Sequence, residues 1–179
     1  NDPSPKGINN EHGTIVGGII AAVSNNGIGV ASLAPKCRIL PVKVSADNDI
    51  RSAGSAYILA GYPGIVYAAT MGAKVINCSW GGAGGSQAEQ DVIDFATQHG
   101  ALVVASAGNN DPPGTFSTPA SYRNVLSVAS TGNTDHISTF SDIGENVDVS
   151  APGEAIYSTQ FPHTYSMSNY GTSFSSPMT

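Results

Sequence analysis

The sequence predicts an α/β fold, a three-layer, doubly wound and mostly parallel sheet. Residues 101–106 (Ala-Leu-Val-Val-Ala-Ser) and 125–130 (Val-Leu-Ser-Val-Ala-Ser) are apolar or small throughout, the pattern of strands covered on both faces. Helical patterns alternate with the strand patterns, and that rhythm produces parallel neighbours joined by crossovers. Loops rich in Gly, Asn and Ser follow the strands, at the sheet edge where ligands of open α/β folds bind.

The elements follow in order. Residues 1–11 are loop by composition, and residues 12–23 form a helix with apolar side chains on nearly all sides, hence buried. Asn25-Asn26-Gly27-Ile28-Gly29 is a turn. Residues 38–44 (Arg-Ile-Leu-Pro-Val-Lys-Val) predict a strand, with Pro41 arguing against a central position there. After a loop at 47–51, Pro63-Gly64 should interrupt a helical stretch, leaving its regular part at 64–71. Residues 74–79 are a strand and 80–85 a glycine loop. Ser86-Gln87-Ala88-Glu89 is a capping box opening a helix with Ala88, Val92, Phe95, Ala96 and His99 on its apolar face, stopped by Gly100. Residues 108–122 are a long loop, 146–150 a short strand, and Ala151-Pro152-Gly153 closes it. Gly171-Thr172-Ser173-Phe174-Ser175-Ser176-Pro177 places a serine at the mouth of a helix, with Pro177 in the first turn.

Composition narrows the function classes. A chain of 179 residues with 40% hydrophobic and 11% charged residues folds as one domain rather than staying disordered. The net charge is −6 and Lys and Arg are nowhere clustered, which excludes nucleic acid as a natural partner. No apolar run reaches membrane-spanning length, so no membrane partner is expected, and a monomer is. Cys37 and Cys78 fall at opposite ends of the predicted sheet and read as free thiols.

Three segments carry chemistry. His12 begins a buried helix, Asn109 follows an apolar strand in Ser106-Ala107-Gly108-Asn109-Asn110, and Ser173 stands at a helix start. Alone, each has a plain reading: a structural histidine, a turn asparagine, a serine cap. Together they supply a base, an amide that can donate to a developing oxyanion, and a nucleophile, the set that acyl transfer requires.

In this order and context the segments resemble the subtilisin-like serine proteases, or subtilases, over essentially the whole chain. His12-Gly13-Thr14-x-Val16-x-Gly18 is similar to the family's histidine motif. Gly171-Thr172-Ser173-x-Ser175-x-Pro177 is similar to its serine motif, with Ser175 where alanine is commoner. Ala107-Gly108-Asn109 resembles the oxyanion segment, residues 75–82 the substrate-binding strand, and residues 149–153 a further family segment. The resemblance implies a serine endopeptidase acting on proteins or peptides, with His12 as base, Ser173 as nucleophile and Asn109 as oxyanion donor. Ser79, Trp80 and Gly81 would bind substrate as an added strand and, with Ser106, Ala107 and Gly108, wall the pocket before the scissile bond. Ser117 and Thr118 would lie near its floor. No carboxylate stands at that floor, which favours large apolar residues over Lys or Arg, although Asp111 is close in sequence.

The resemblance also implies an aspartate well before the histidine, and only eleven residues precede His12. Asp2 is too near and reads as a loop carboxylate. The chain is thus expected to be one partial catalytic domain, 1–179, cut at both ends, with the aspartate upstream. Chemistry needs no cofactor. A structural calcium ion held through Asn26, Ile28 and Val30 is implied by likeness to the family's calcium loop, while an Asn-Gly turn explains the same residues without metal. A propeptide partner and secretion are implied as well, although no leader pattern begins at Asn1. Two other classes stay open: a non-catalytic peptide-binding scaffold of the same fold, and a nucleotide-binding domain using Gly82-Ala83-Gly84-Gly85 as a phosphate loop.

Overall fold

The computed structural model describes residues 4, 11–46, 57–110 and 117–179. Its centre is a four-stranded, wholly parallel sheet, in the order β1 (Val75–Cys78), β2 (Leu102–Ser106), β3 (Val125–Thr131), β4 (Val149–Pro152). The register pairs Val104 with Asn77 on one side and with Leu126 on the other. Side chains alternate across a pleated strand, so β2 serves two cores. Val103 and Ala105 join Ile65, Ala68 and Ala69 of α2 (Gly61–Thr70), and Ile93 and Ala96 of α3 (Gln87–Gln98). On the opposite face lie α1 (His12–Ala21) and α4 (Thr172–Ser175), with Ile15, Val16 and Ile19 packed against Ile156 and Phe174. Three layers result, as the continuous apolar runs require.

The expected strand at 38–44 does not form. The segment joins no strand ladder among the described residues; the Val44 carbonyl accepts from the Leu59 and Ala60 N–H groups. An extended run becomes a strand only when a partner completes its ladder, and the Pro41 nitrogen has no hydrogen to give. Pro63 does not interrupt α2 either. It is the helix's third residue, where an N–H has no intrahelical partner to lose, and the Gly64 N–H bonds the Ala60 carbonyl at 2.9 Å. The strand expected at 146–150 lies a few residues later, as β4.

The α3 capping box is half made. Ser86 Oγ accepts from the Glu89 N–H at 3.3 Å, but the Glu89 carboxylate turns away to the Tyr122 hydroxyl at 2.5 Å. The buried face of α3 is Gln90, Ile93 and Ala96, with Val92 and Phe95 half-buried; Ala88 and His99 are exposed, contrary to the expected face. A glutamine is buried here because its amide is satisfied: Nε2 donates to Asp94 and to the Arg123 carbonyl, and Oε1 accepts from the Arg123 N–H.

The antiparallel hairpin of β5 (Ile156–Gln160) and β6 (Thr164–Asn169) had no counterpart in the sequence reading. It holds α1 in place. Ser158 Oγ donates to the Ile15 carbonyl at 2.7 Å, and Thr159 Oγ1 to the Thr14 carbonyl at 2.8 Å. The approach is so close that a Cβ on Gly18 would run into both side chains. Both cysteines are free as expected: Cys37 is exposed, and burial raises the Cys78 thiol to about 12.

One buried group is at odds with its surroundings. Ser175 is fully buried and its hydroxyl has no hydrogen-bond partner among the described residues. An unmet buried hydroxyl costs about 1–3 kcal/mol. Replacing Ser175 with Ala should therefore raise the unfolding free energy by about 1–2 kcal/mol in urea titration; a loss of that size would show that the hydroxyl is used.

Candidate functional site

The site assembles on α4, at the C-terminal edge of the sheet. Three consecutive residues of this short helix each meet one of the segments singled out by sequence. Thr172 meets Asn109, Ser173 meets Ser79, and Phe174 meets His12.

Thr172 is fully buried, and both its main-chain N–H and its hydroxyl donate to Asn109 Oδ1, at 2.8 and 2.9 Å. Thr172 Oγ1 in turn accepts from the Gly108 N–H at 3.2 Å. A main-chain N–H can only donate, so Asn109 must present its oxygen here. Its Nδ2 group is left as an available donor at an exposed position beside Ser173. The Ser173 N–H has no acceptor among the described residues, giving a second donor in the same neighbourhood.

Ser173 rests its hydroxyl on the Ser79 carbonyl at 3.2 Å. Ser79 Oγ returns a hydrogen bond to the Ser173 carbonyl at 2.7 Å and lies 2.9 Å from Ser176 Oγ. Asn77 closes this knot, donating from Nδ2 to Ser79 Oγ and accepting at Oδ1 from Ser176, both at 2.9 Å. The end of β1 is thereby stitched to the helix carrying the serine.

His12 starts α1, and its ring lies 5.6 Å from that of Phe174, tilted by 48°. No described residue hydrogen-bonds the imidazole. The neighbouring Glu11 carboxylate is drawn away, accepting from Gln160 Nε2 at 2.9 Å. The ring keeps an exposed edge, but protein packs around the rest, and desolvation lowers its pKa below 6.5.

The segments expected to bind substrate are placed as follows. The Trp80 ring packs edge-on to Tyr62 at 5.5 Å, within the core between α2 and the sheet, so this residue offers its backbone rather than its indole. Gly82 exchanges hydrogen bonds with Thr118, at 3.0 and 2.9 Å, which brings Ser117 beside Gly81. Ser106 and Ala107 are buried at the end of β2, and Gly108 is half-buried. Asp2 and Asp111 lie outside the described residues.

The 25–30 loop is built as a turn: Asn26 Oδ1 accepts from the Ile28 N–H at 3.0 Å, with positive φ at Asn25, Gly27 and Gly29. Its oxygens are of the hard, neutral kind that calcium takes. They are too few for a shell, and no cluster of three metal-ligating side chains occurs among the described residues. The glycine loop before α3 has several of its nearby N–H donors used within the protein. The Glu89 N–H bonds Ser86 Oγ and the Gln90 N–H the Ser86 carbonyl, while the Ser86 N–H goes to the Tyr122 hydroxyl at 2.9 Å.

A serine, a histidine and an oriented amide converging at the edge of a parallel sheet are suited to acyl transfer. The chain belongs to the subtilase (peptidase S8) family, whose model matches residues 1–179. It is 45% identical to thermitase of Thermoactinomyces vulgaris over 179 residues, 99% of this chain and 61% of that protein. Subtilisin DY of Bacillus licheniformis is 39% identical over 171 residues, covering 94% of this chain and 60% of its own. Among solved structures, a protease of Pseudoalteromonas arctica superposes with a TM-score of 0.82 at 32% identity, over 93% of this chain and 55% of that one. A prenylagaramide maturation protease superposes at 0.81 and 29% identity, over 94% and 60%. The chain thus spans about 60% of thermitase and of subtilisin DY.

The residues that hold the site were not legible as such. Thr172 and Asn77 stand in recognisable segments whose pattern does not carry their hydrogen-bonding role, and Ser158 and Thr159 stand in none, because their partners lie 143 and 145 residues away. For His12 the direction of the pKa shift sets a measurable outcome. The neutral ring is favoured in the folded chain, so the unfolded chain takes up the proton first as pH falls. Stability linked to this group is full above pH 6.5 and declines as pH drops below that value toward the folded pKa. NMR titration of the 179-residue chain should place His12 below 6.5; a higher value would mean that a carboxylate faces the ring.

Proposed function

We propose that this chain is the greater part of the catalytic domain of a serine endopeptidase that hydrolyses peptide bonds through an acyl-enzyme. The observation that carries the reading is the fixing of Asn109 by Thr172 directly beside Ser173, with Nδ2 free to donate. Ser173 Oγ attacks the substrate carbonyl carbon while its proton passes to His12. The carbonyl oxygen becomes an oxyanion facing Asn109 Nδ2 and the Ser173 N–H. His12 then gives the proton to the leaving amine, and water cleaves the ester by the same steps in reverse order.

The serine must first leave the Ser79 carbonyl, and substrate added along Ser79, Trp80 and Gly81 would displace it. The pocket before the scissile bond lies between these residues and Ser106, Ala107 and Gly108, with Ser117 near its floor; these are uncharged and suit apolar side chains. The orienting aspartate for His12 comes, in this reading, from sequence preceding Asn1. Loss of that partner lowers turnover by roughly 10⁴ in a serine protease triad.

Secretion is supported by one relative, an extracellular basic protease of Dichelobacter nodosus, 40% identical over 154 residues. No helix among the described residues is long and apolar enough to cross a membrane. The peptide-binding scaffold has no observation in its favour, since His12, Asn109 and Ser173 are all present.

The test is made on the chain together with its native flanking sequence. A serine-directed phosphonate should label the protein, and Ser173→Ala should abolish labelling; labelling that survives would refute the nucleophile assignment. Asn109→Ala should lower kcat by about 10²–10³, a magnitude established on subtilisin for such a donor. Calcium is a structural proposal only: Asn26 Oδ1 and the carbonyls of Ile28 and Val30 would contribute to a shell completed by other oxygens. Chelation should then lower the melting temperature. An unchanged melting temperature would leave the loop as a plain Asn-Gly turn.

A further inference from the structure

We infer that Asp142 is a positioning residue for the oxyanion turn, setting the place of the Asn109 amide from behind; this rests on the reading of Asn109 as the oxyanion donor. Asp142 lies in the connection between β3 and β4, and only 4% of its surface is exposed. Its carboxylate takes two hydrogen bonds from Asn110: the main-chain N–H at 3.3 Å, and the side-chain amide Nδ2 in a short contact. Its own N–H donates to the Gly108 carbonyl at 3.0 Å. Both residues flanking Asn109 are therefore bound to Asp142, one through its carbonyl and the other through two donors.

The turn allows nothing else in this space. Gly108 takes a φ of +125°, and a Cβ there would overlap the Asp142 carboxylate, so the carboxylate fills the hollow that the missing side chain leaves. Asp142 is itself held to the sheet. The Ser130 N–H of β3 donates to Ser141 Oγ at 2.9 Å, and Ser141 Oγ donates to the Asp142 carbonyl at 3.1 Å. A chain of bonds thus runs from a central strand through Ser141 and Asp142 to both sides of Asn109. Thr172 fixes the side chain of Asn109; Asp142 fixes the backbone from which that side chain projects. An oxyanion donor is effective only when its geometry is set before charge develops, so loosening this support should act on the transition state and not on substrate binding.

The experiment uses the active enzyme with its native flanking sequence. Asp142→Asn keeps the shape but turns one acceptor into a donor facing Asn110. It should lower kcat about tenfold with KM nearly unchanged. In an Asn109→Ala background the same substitution should have less than about a twofold effect, because the group it positions is gone. Asn110→Ala removes a bond from the other side at a half-buried position and should reproduce the result if the Asp142 variant does not fold. An equal loss in both backgrounds, an unchanged kcat, or a raised kcat from relief of a negative charge would each overturn the inference. If Asn109→Ala alone leaves kcat unchanged, the oxyanion assignment itself fails, an outcome distinct from the others.

Discussion

The contact on which the site depends is the double hydrogen bond from Thr172 to Asn109 Oδ1. It joins the loop after a central strand to a helix of only four residues, and it turns an amide that could face either way into one that faces outward. A side-chain amide has two ends of nearly equal size and opposite hydrogen-bonding sense. Only a partner that cannot accept, the Thr172 N–H, fixes which end points where. Every other part of the site is arranged around the helix so fixed: Ser79 beneath Ser173, the His12 ring against Phe174, and Asn77 and Ser176 closing the knot between β1 and the chain beyond α4.

The sheet was legible because its strands carry the apolar runs that burial on both faces demands, and β1, β2 and β3 fall within a residue or so of their expected bounds. The departures share one cause: each depends on a partner that pattern alone does not supply. Residues 38–44 have strand composition but join no strand ladder among the described residues. The apolar face of α3 was misplaced because Gln90 is buried, a glutamine made tolerable by Asp94 and Arg123. The hairpin of β5 and β6 escaped notice because Ser158, buried on its inner face, is polar and serves as a hydrogen-bond donor rather than as apolar packing.

The site shows the same division. His12, Asn109 and Ser173 stand in short local motifs, and residues of that kind can be read from neighbours in sequence. Thr172, Asp142, Ser158 and Thr159 act on groups between 32 and 145 residues away; Thr172 shares the serine motif, but nothing local marks the role of any of the four. Trp80 is the reverse case. Its motif is local and recognisable, yet its ring is spent on packing against Tyr62 rather than on the pocket.

The grip of the β5 hydroxyls on α1 has a consequence in time as well as in space. Residues Ser158 and Thr159 reach back 143 and 145 positions to hold the helix that begins with His12. Contacts of such separation carry a large loop-closure cost and are late events in folding. During synthesis the histidine helix leaves the ribosome long before either the hairpin that seats it or the helix carrying Ser173 has been made. The segments carrying His12 and Ser173 therefore stay apart for most of the chain's synthesis, and they can come together only once nearly all of its 179 residues have been made.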